Sequence, residues 1–371
     1  TATGKEALFK NTTGAENAAL SYKALHLNTT GGNNTAGGSG ALYSNTTASN
    51  NTAFGAAALY SNTTGADNTA TGFNCMYSNT TGSNNVAYGR SAMSSNTTAS
   101  TNTSVGRNSM LQNTTGAGNT VVGAYALDAN TTGANNVAVG TYALTRNTTA
   151  SQNTAIGDNA LDMNTTGVSN TAVGRSALAN NVSSDFNTAV GRNALNASTG
   201  SSNTAVGFYA LNANTANNNT AFGHHSGSAI TTGATNTMMG YYGGYTTTTG
   251  ASNVCVGNHA RTESVSTSNA IVIGDNLEGA ANHFAFGKAS NQVYNNFTSN
   301  ASWTRSSDER KKTNIQDATL GLDFINDLRT VTFKWKRSQD IPNTLKDYRA
   351  DTNLMDTDVV MHGMLAQDVK A

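Results

Sequence analysis

The amino-acid sequence predicts an all-β repeat fold, a β-solenoid or β-roll fibre of 17-residue units that is homotrimeric, followed by a small α+β segment. Three observations predict it. Asn recurs every 17 residues from Asn17 to Asn187. Most of these Asn are followed at fixed offsets by a glycine and all of them by a Leu or Met. Near Trp303 the composition changes abruptly from almost uncharged to densely charged.

The period comes first, because a fixed repeat decides the architecture. Gly38, Gly55, Gly72 and their equivalents through Gly191 lie four residues after the Asn. Leu25, Leu42, Leu59, Met76, Met93, Met110 and so on to Leu195 lie eight after it. The unit reads N-T-A-V-G-x-x-A-L-x-x-N-T-T-G-x-x. Spacing loosens to 16 at Asn203 and Asn219 and fades through 237–240 and 254–257. A helical hairpin repeat needs more than ~30 residues, and a turn signal in every unit forbids long helices. Thr-Ala-Val has short-strand character, Gly closes the strand, and Asn-Thr-Thr-Gly supplies an outer turn. Each unit is therefore one coil of a solenoid, and coils about 4.8 Å apart make a rod on the order of 70 Å long.

The aliphatic content per coil is small for a free-standing chain, given the entropy of ordering it. Two remedies are expected together. Identical Asn side chains stacked in register form inward amide ladders. Three chains pool their Leu/Met stripes on a common axis. Residues 1–257 are assigned to this shaft and 258–302 to a β neck with strand-like pieces at 270–274 and 284–287.

The last 69 residues hold eleven Lys or Arg and eleven Asp or Glu, against ten of each in the 302 before them. Both tryptophans and Pro342 also fall here, so 303–371 is a separate domain. It reads W-T-R-S-S-D-E-R-K-K-T-N-I, then G-L-D-F-I-N-D-L-R-T-V-T-F-K-W-K, and finally H-G-M-L-A-Q-D-V-K. These motifs resemble the peptidase S74 family, the intramolecular chaperone of phage endosialidases and tail fibres. Its hallmark S-D-x-R-x-K-x-N-I precedes a Leu-rich helix, an extended V-x-F-x-W segment and G-x-x-A-Q-x-V. The shaft units are loosely similar to the left-handed β-roll heads of trimeric bacterial adhesins and to phage-fibre shafts.

The resemblance implies a domain that trimerises, guides shaft folding and then cuts the chain just before the hallmark serine. Carried over by position, Ser307 is the nucleophile and Lys312 its partner, since a desolvated lysine can take a hydroxyl proton. Asp308 and Arg310 hold the turn by charge-assisted hydrogen bonds, with Asn314 supporting it. Lys311 stands where the family is usually apolar. The family's domain also continues into long trimerising helices past the point matching Ala371, so the segment is expected to be truncated. The start at Thr1, in phase with the repeat, predicts a trimmed or incomplete N-terminus.

The expected function is a structural tail fibre or tail-spike for host attachment, located on the virion. The alternatives are a trimeric adhesin on the bacterial surface and, further off, a glycan-cleaving spike. No turnover enzyme is expected, only one self-cleavage. The acidic residues of the shaft, Asp158 and Asp162 among them, do not recur in register as a carboxylate pair would need to. Partners are the chain itself and a host receptor, a glycan, with Tyr241, Tyr242 and Tyr245 as candidate contacts. Trimer packing is the plainer role for those tyrosines.

Zero net charge gives no sign of a nucleic-acid partner. No run approaches the ~18 apolar residues of a membrane span. No cofactor or metal is expected: His224-His225 lack further ligands nearby, and Cys75 and Cys255 read as incidental thiols. The N-T-T triplets are glycosylation sequons read here as unmodified turns. A Thr array also suggests an ice-binding adhesin, weakened because adjacent Thr in a strand face opposite sides.

Overall fold

The computed structural model describes residues 1–289, 291–298, 304–305, 331–333 and 361–363. It divides into two compact units, Thr1–Ser306 and Ser307–Ala371. Every regular element among the described residues is a β-strand.

In the first unit each repeat contributes one short strand, such as Thr154–Ile156, Thr171–Val173 and Thr188–Val190. Consecutive strands pair parallel, Thr on Thr, Ala on Ala, and Ile or Val on Val. A 17-residue period therefore equals one full coil. Gly at the fifth position turns the chain away. At Gly106 φ is 141°, and an added Cβ would lie 2.6 Å from the Gly123 carbonyl carbon, so no larger residue fits between stacked corners.

Alternation along the strand sends the central Ala inward and its neighbours outward. Ala138, Ala155 and Ala172 are fully buried, whereas Ile156 is 40% exposed. The Ala-Leu step that follows is not a strand. Leu or Met at the ninth position has φ between 48° and 53°, in the left-handed region. Its backbone still bonds coil to coil, with the Leu127 N–H donating to the Ala143 carbonyl at 2.9 Å. β-Branched residues are nearly excluded from this region. Position nine accordingly carries Leu, Met or Gly, and never Val or Ile, from Leu25 to Gly244.

The expectation that three chains pool their Leu/Met stripes is corrected here. Leu25, Leu42, Leu59, Met76, Met93, Met110 and their successors to Leu211 are 0% exposed within a single chain. The inward residue of most strands is only Ala, and the Leu from the opposite wall fills the space it leaves.

The expected amide ladders are present, and there are two. Asn113 Nδ2 donates to Asn96 Oδ1 and to the Gly116 carbonyl, both at 3.0 Å, while its own Oδ1 accepts from Asn130 Nδ2 at 2.8 Å. In the second ladder Asn119 Nδ2 donates to the Gly133 carbonyl at 3.0 Å. The Asn136 backbone N–H closes it on Asn119 Oδ1 at 2.9 Å. The Gly133 carbonyl also accepts Asn130 Nδ2, so the two ladders are joined in each coil.

Irregular units keep the same logic. Where spacing drops to 16, Thr188 still pairs with Thr204 and Thr204 with Thr220. The missing residue is one Thr of the corner, leaving Ser198-Thr199-Gly200 and Asn214-Thr215-Ala216. Where Gly227 and Gly244 replace the core Leu, Met238 stands in the place of the strand Ala and Ile230 in that of a ladder Asn. Both larger side chains are fully buried.

Parallel stacking continues past 257 through Ile271–Asp275 to His283–Lys288. His283–Lys288 then pairs antiparallel with Asn291–Asn296, which pairs with Thr304–Arg305. The reversal gives the last parallel edge a hairpin partner instead of leaving it open. A separate two-stranded pairing joins Arg261–Thr262 to Glu278–Gly279.

In the second unit Val331–Phe333 pairs antiparallel with Met361–Gly363, Val331 opposite Gly363. The segment expected to be extended thus joins the start of the G-x-x-A-Q-x-V motif. The Leu-rich stretch expected to be helical lies outside the described residues.

Candidate functional site

The repeat register brings aromatic side chains together near the C-terminal end of the solenoid. At the seventh position, Tyr209, His225, Tyr242 and His259 stack in one file with centroids 5.2, 4.9 and 5.4 Å apart and planes within 6° of parallel. At the sixth position, Phe208, His224 and Tyr241 form a second file at 5.0 and 5.4 Å. The files touch edge to face, with Tyr241 and Tyr242 centroids 4.7 Å apart at 72°. Tyr245 closes the end, 6.1 Å from Tyr242 and 5.6 Å from His259.

Arg192 lies over Phe208 at 5.7 Å and Arg261 over Tyr245 at 5.8 Å, so a cation flanks each end of the cluster. Burial among the rings, and secondarily the neighbouring His224, holds the His225 imidazole below its ordinary 6.5.

Tyr241, Tyr242 and Tyr245 are therefore neighbours, but their ring faces differ in availability. His225 and His259 cover both faces of Tyr242. Tyr241 is half exposed, so it presents the most ring surface of the three. The sequence reading missed Phe208, Tyr209 and His259 as members of the cluster. Their spacings of 16 and 17 residues were the available signal.

A single file of five rings at the N-terminal end stacks Phe9, His26, Tyr43, Tyr60 and Tyr77 at 4.9 to 5.3 Å. Ring stacking in register is thus a general property of this coil.

The scattered carboxylates are occupied otherwise. Asp158 pairs with Arg175 at 3.5 Å on the surface. Burial pushes the Asp162 carboxyl up, opposed by Arg146 and by a hydrogen bond from Thr145. Cys75 and Cys255 are free and buried, each thiol pushed up to about 12 by burial. Each replaces a core Ala. Among the described residues, no group of three or more His, Cys, Asp or Glu is arranged to hold a metal. No helix there is long and apolar enough to cross a membrane.

Ser307, Asp308, Arg310, Lys312 and Asn314 lie outside the described residues, so the structure does not place them. The boundary between the two compact units nevertheless falls between Ser306 and Ser307.

Comparison with known proteins places a match in the same segment. No curated protein matches the chain. Residues 307–371 match the family model described as the chaperone of endosialidase, peptidase S74. That match and the 17-residue-repeat β-solenoid ahead of it fit a tail fibre carrying a C-terminal chaperone domain of the S74 family.

Proposed function

We propose that this chain is the shaft of a trimeric tail fibre or tail-spike used for host attachment, built with the help of its own C-terminal chaperone. The observation that carries the reading is a coincidence at one residue. The family match, the S-D-E-R-K-K-T-N-I hallmark and the second compact unit all begin at Ser307.

Such a helper suits this fold. In-register stacking of near-identical coils offers many one-coil slips, and non-local pairings must close loops before contacts reward them. Holding three chains together at one end raises their local concentration and fixes register. Removing the helper afterwards leaves the shaft kinetically trapped.

Cleavage is proposed before Ser307. Neutral Lys312 takes the Ser307 hydroxyl proton as Oγ attacks the Ser306 carbonyl carbon. The peptide bond breaks, the Ser307 nitrogen receives that proton, and an ester joins Ser306 to Oγ. Water then hydrolyses the ester to a Ser306 carboxylate, a free Ser307 hydroxyl and a new amino terminus. Asp308, Arg310 and Asn314 hold the turn. Receptor contact is assigned to the surface around Tyr241, Tyr242 and Tyr245, with Tyr241 offering a ring to a sugar face.

Expression of the full chain beside Ser307→Ala tests the processing step. The unsubstituted chain is expected to yield a shaft ending at Ser306, and the variant an intact chain. Intact product from both would remove the cleavage proposal.

A further inference from the structure

Burying the Leu/Met stripe inside each coil leaves open which surface one chain would present to another. The outward rows of the parallel sheet answer this. On one side of each strand lies the second-position residue, Thr in most units. Two residues on lies Val, Ile, Phe, Tyr, Leu or Met in most units. Leu20, Phe54, Tyr88, Val122, Ile156, Phe222, Met239 and Ile273 are each between 40% and 45% exposed. These side chains stand in one line, because the strands pair parallel without a register shift.

Two further features separate this face from the rest of the coil. From Ala18 to Ile273 neither row contains Asp, Glu, Lys or Arg. Charged residues of the shaft, such as Lys23, Arg90, Arg107, Asp158 and Arg192, sit at other positions of the unit. Bulk also alternates near the N-terminal end, where Gly37 and Thr71 flank Phe54 and Thr71 precedes Tyr88. The Phe54 ring lies over Gly37, where an added Cβ would meet its Cδ1 at 2.6 Å. Small rungs thus make room for large rings along the stripe.

We infer that this Thr/aliphatic face is the surface through which the chain packs against further copies of itself, parallel and in register around a common axis. The inference rests on the trimer reading above and specifies its interface. A second copy is the fitting occupant because the face repeats with the coil, so identical chains in register match rung for rung over its full length. Its size is also adequate. At about 4.8 Å per rung the face is on the order of 70 Å long, and at about 10 Å wide it offers ~700 Å² per chain. Specific interfaces bury about 800 Å² per partner. Lack of charge removes the desolvation penalty and the like-charge repulsion that identical rows of ions would impose.

The test uses the full chain with a single added cysteine and a short bis-maleimide. Cys75 and Cys255 are buried and do not compete. Val173→Cys places a thiol on the proposed face, and Thr166→Cys places one on the exposed outer turn as control. The native mass of the unsubstituted protein is measured alongside.

The expected result is a trimeric native mass, with Val173→Cys giving at least tenfold more covalent dimer than Thr166→Cys. A trimeric protein that cross-links equally at both sites, or at neither, overturns the assignment of the face and leaves the trimer reading standing. A monomeric native mass overturns the trimer reading and this inference with it. Val173→Glu combined with Val190→Glu gives a second readout. The trimer fraction should fall at least tenfold with the β-type circular dichroism retained. An unchanged trimer fraction contradicts the proposal.

Discussion

Position nine of the unit shows how one residue carries both backbone and core. Leu127 sits at φ 51° and is completely buried. Leu127→Met should cost under about 1 kcal/mol, since the swap conserves volume and Met76, Met93 and Met110 occupy the same position. Leu127→Val loses only one methylene but puts a β-branched residue at positive φ. It should cost about 2–3 kcal/mol by thermal or denaturant unfolding. A Val variant as stable as the Met variant would show that the left-handed backbone is not what restricts this position.

The ladder asparagines predict a comparable loss. Asn113→Ala leaves Asn96 Oδ1 without its donor in the core and Asn130 Nδ2 with only the Gly133 carbonyl of its two acceptors. The expected destabilisation is about 3 kcal/mol, because unpaired buried polar groups lose their full hydration. One polar exception in the core is matched as a pair. Ser104 and Ser109 both replace core Ala in one coil, and their hydroxyls bond each other at 2.6 Å. Where Ser198 interrupts the ladder, Asn181 Oδ1 is left without a partner.

At the scale of elements, the period, the coil and the amide ladders were all legible in the sequence, because a strict repeat forces identical residues to meet. The direction of the Leu was not. Ala-Leu resembles a second strand step, and only the left-handed φ at positions seven and nine turns Leu inward. The Thr-Ala-Val strand could have been read from alternation alone, which puts the small Ala inside and the larger Val outside. The tyrosines at 241, 242 and 245 were visible as a cluster, but the stacking of Tyr242 on His225 and His259 required knowing that sixteen- and seventeen-residue units both return to one file.

That file predicts a pH response. The folded His225 lies below its unfolded value of about 6.5, so the unfolded chain binds more protons as pH falls. The contribution is complete above about pH 6.5 and is lost as pH drops through the lower folded value. Burial raises the Asp128 and Asp162 carboxyls and acts in the opposite sense, equally in the native chain and in the variant compared with it. Unfolding midpoints measured between pH 7.5 and 5 should therefore fall with acidity for the native chain. The fall should be shallower for His225→Tyr, which keeps an aromatic ring in the file. An identical slope in both proteins would show that His225 does not carry the response.

For the whole molecule, the change of charge near Trp303 and the S-D-E-R hallmark announced a second segment, and the family match covers 307–371. What the sequence reading could not supply was the surface between chains, because the residues that looked most available for it are consumed inside each coil. A shaft with so small a core per coil relies on ladders, on stacking and, in the proposed assembly, on its own copies.

The most direct measurement is the native mass of the protein expressed at full length, taken together with the denatured mass of its chain. A particle of three chains, each ending at Ser306, is the expected result. A single chain retaining the full 38.2 kDa after folding would contradict both the assembly and the processing.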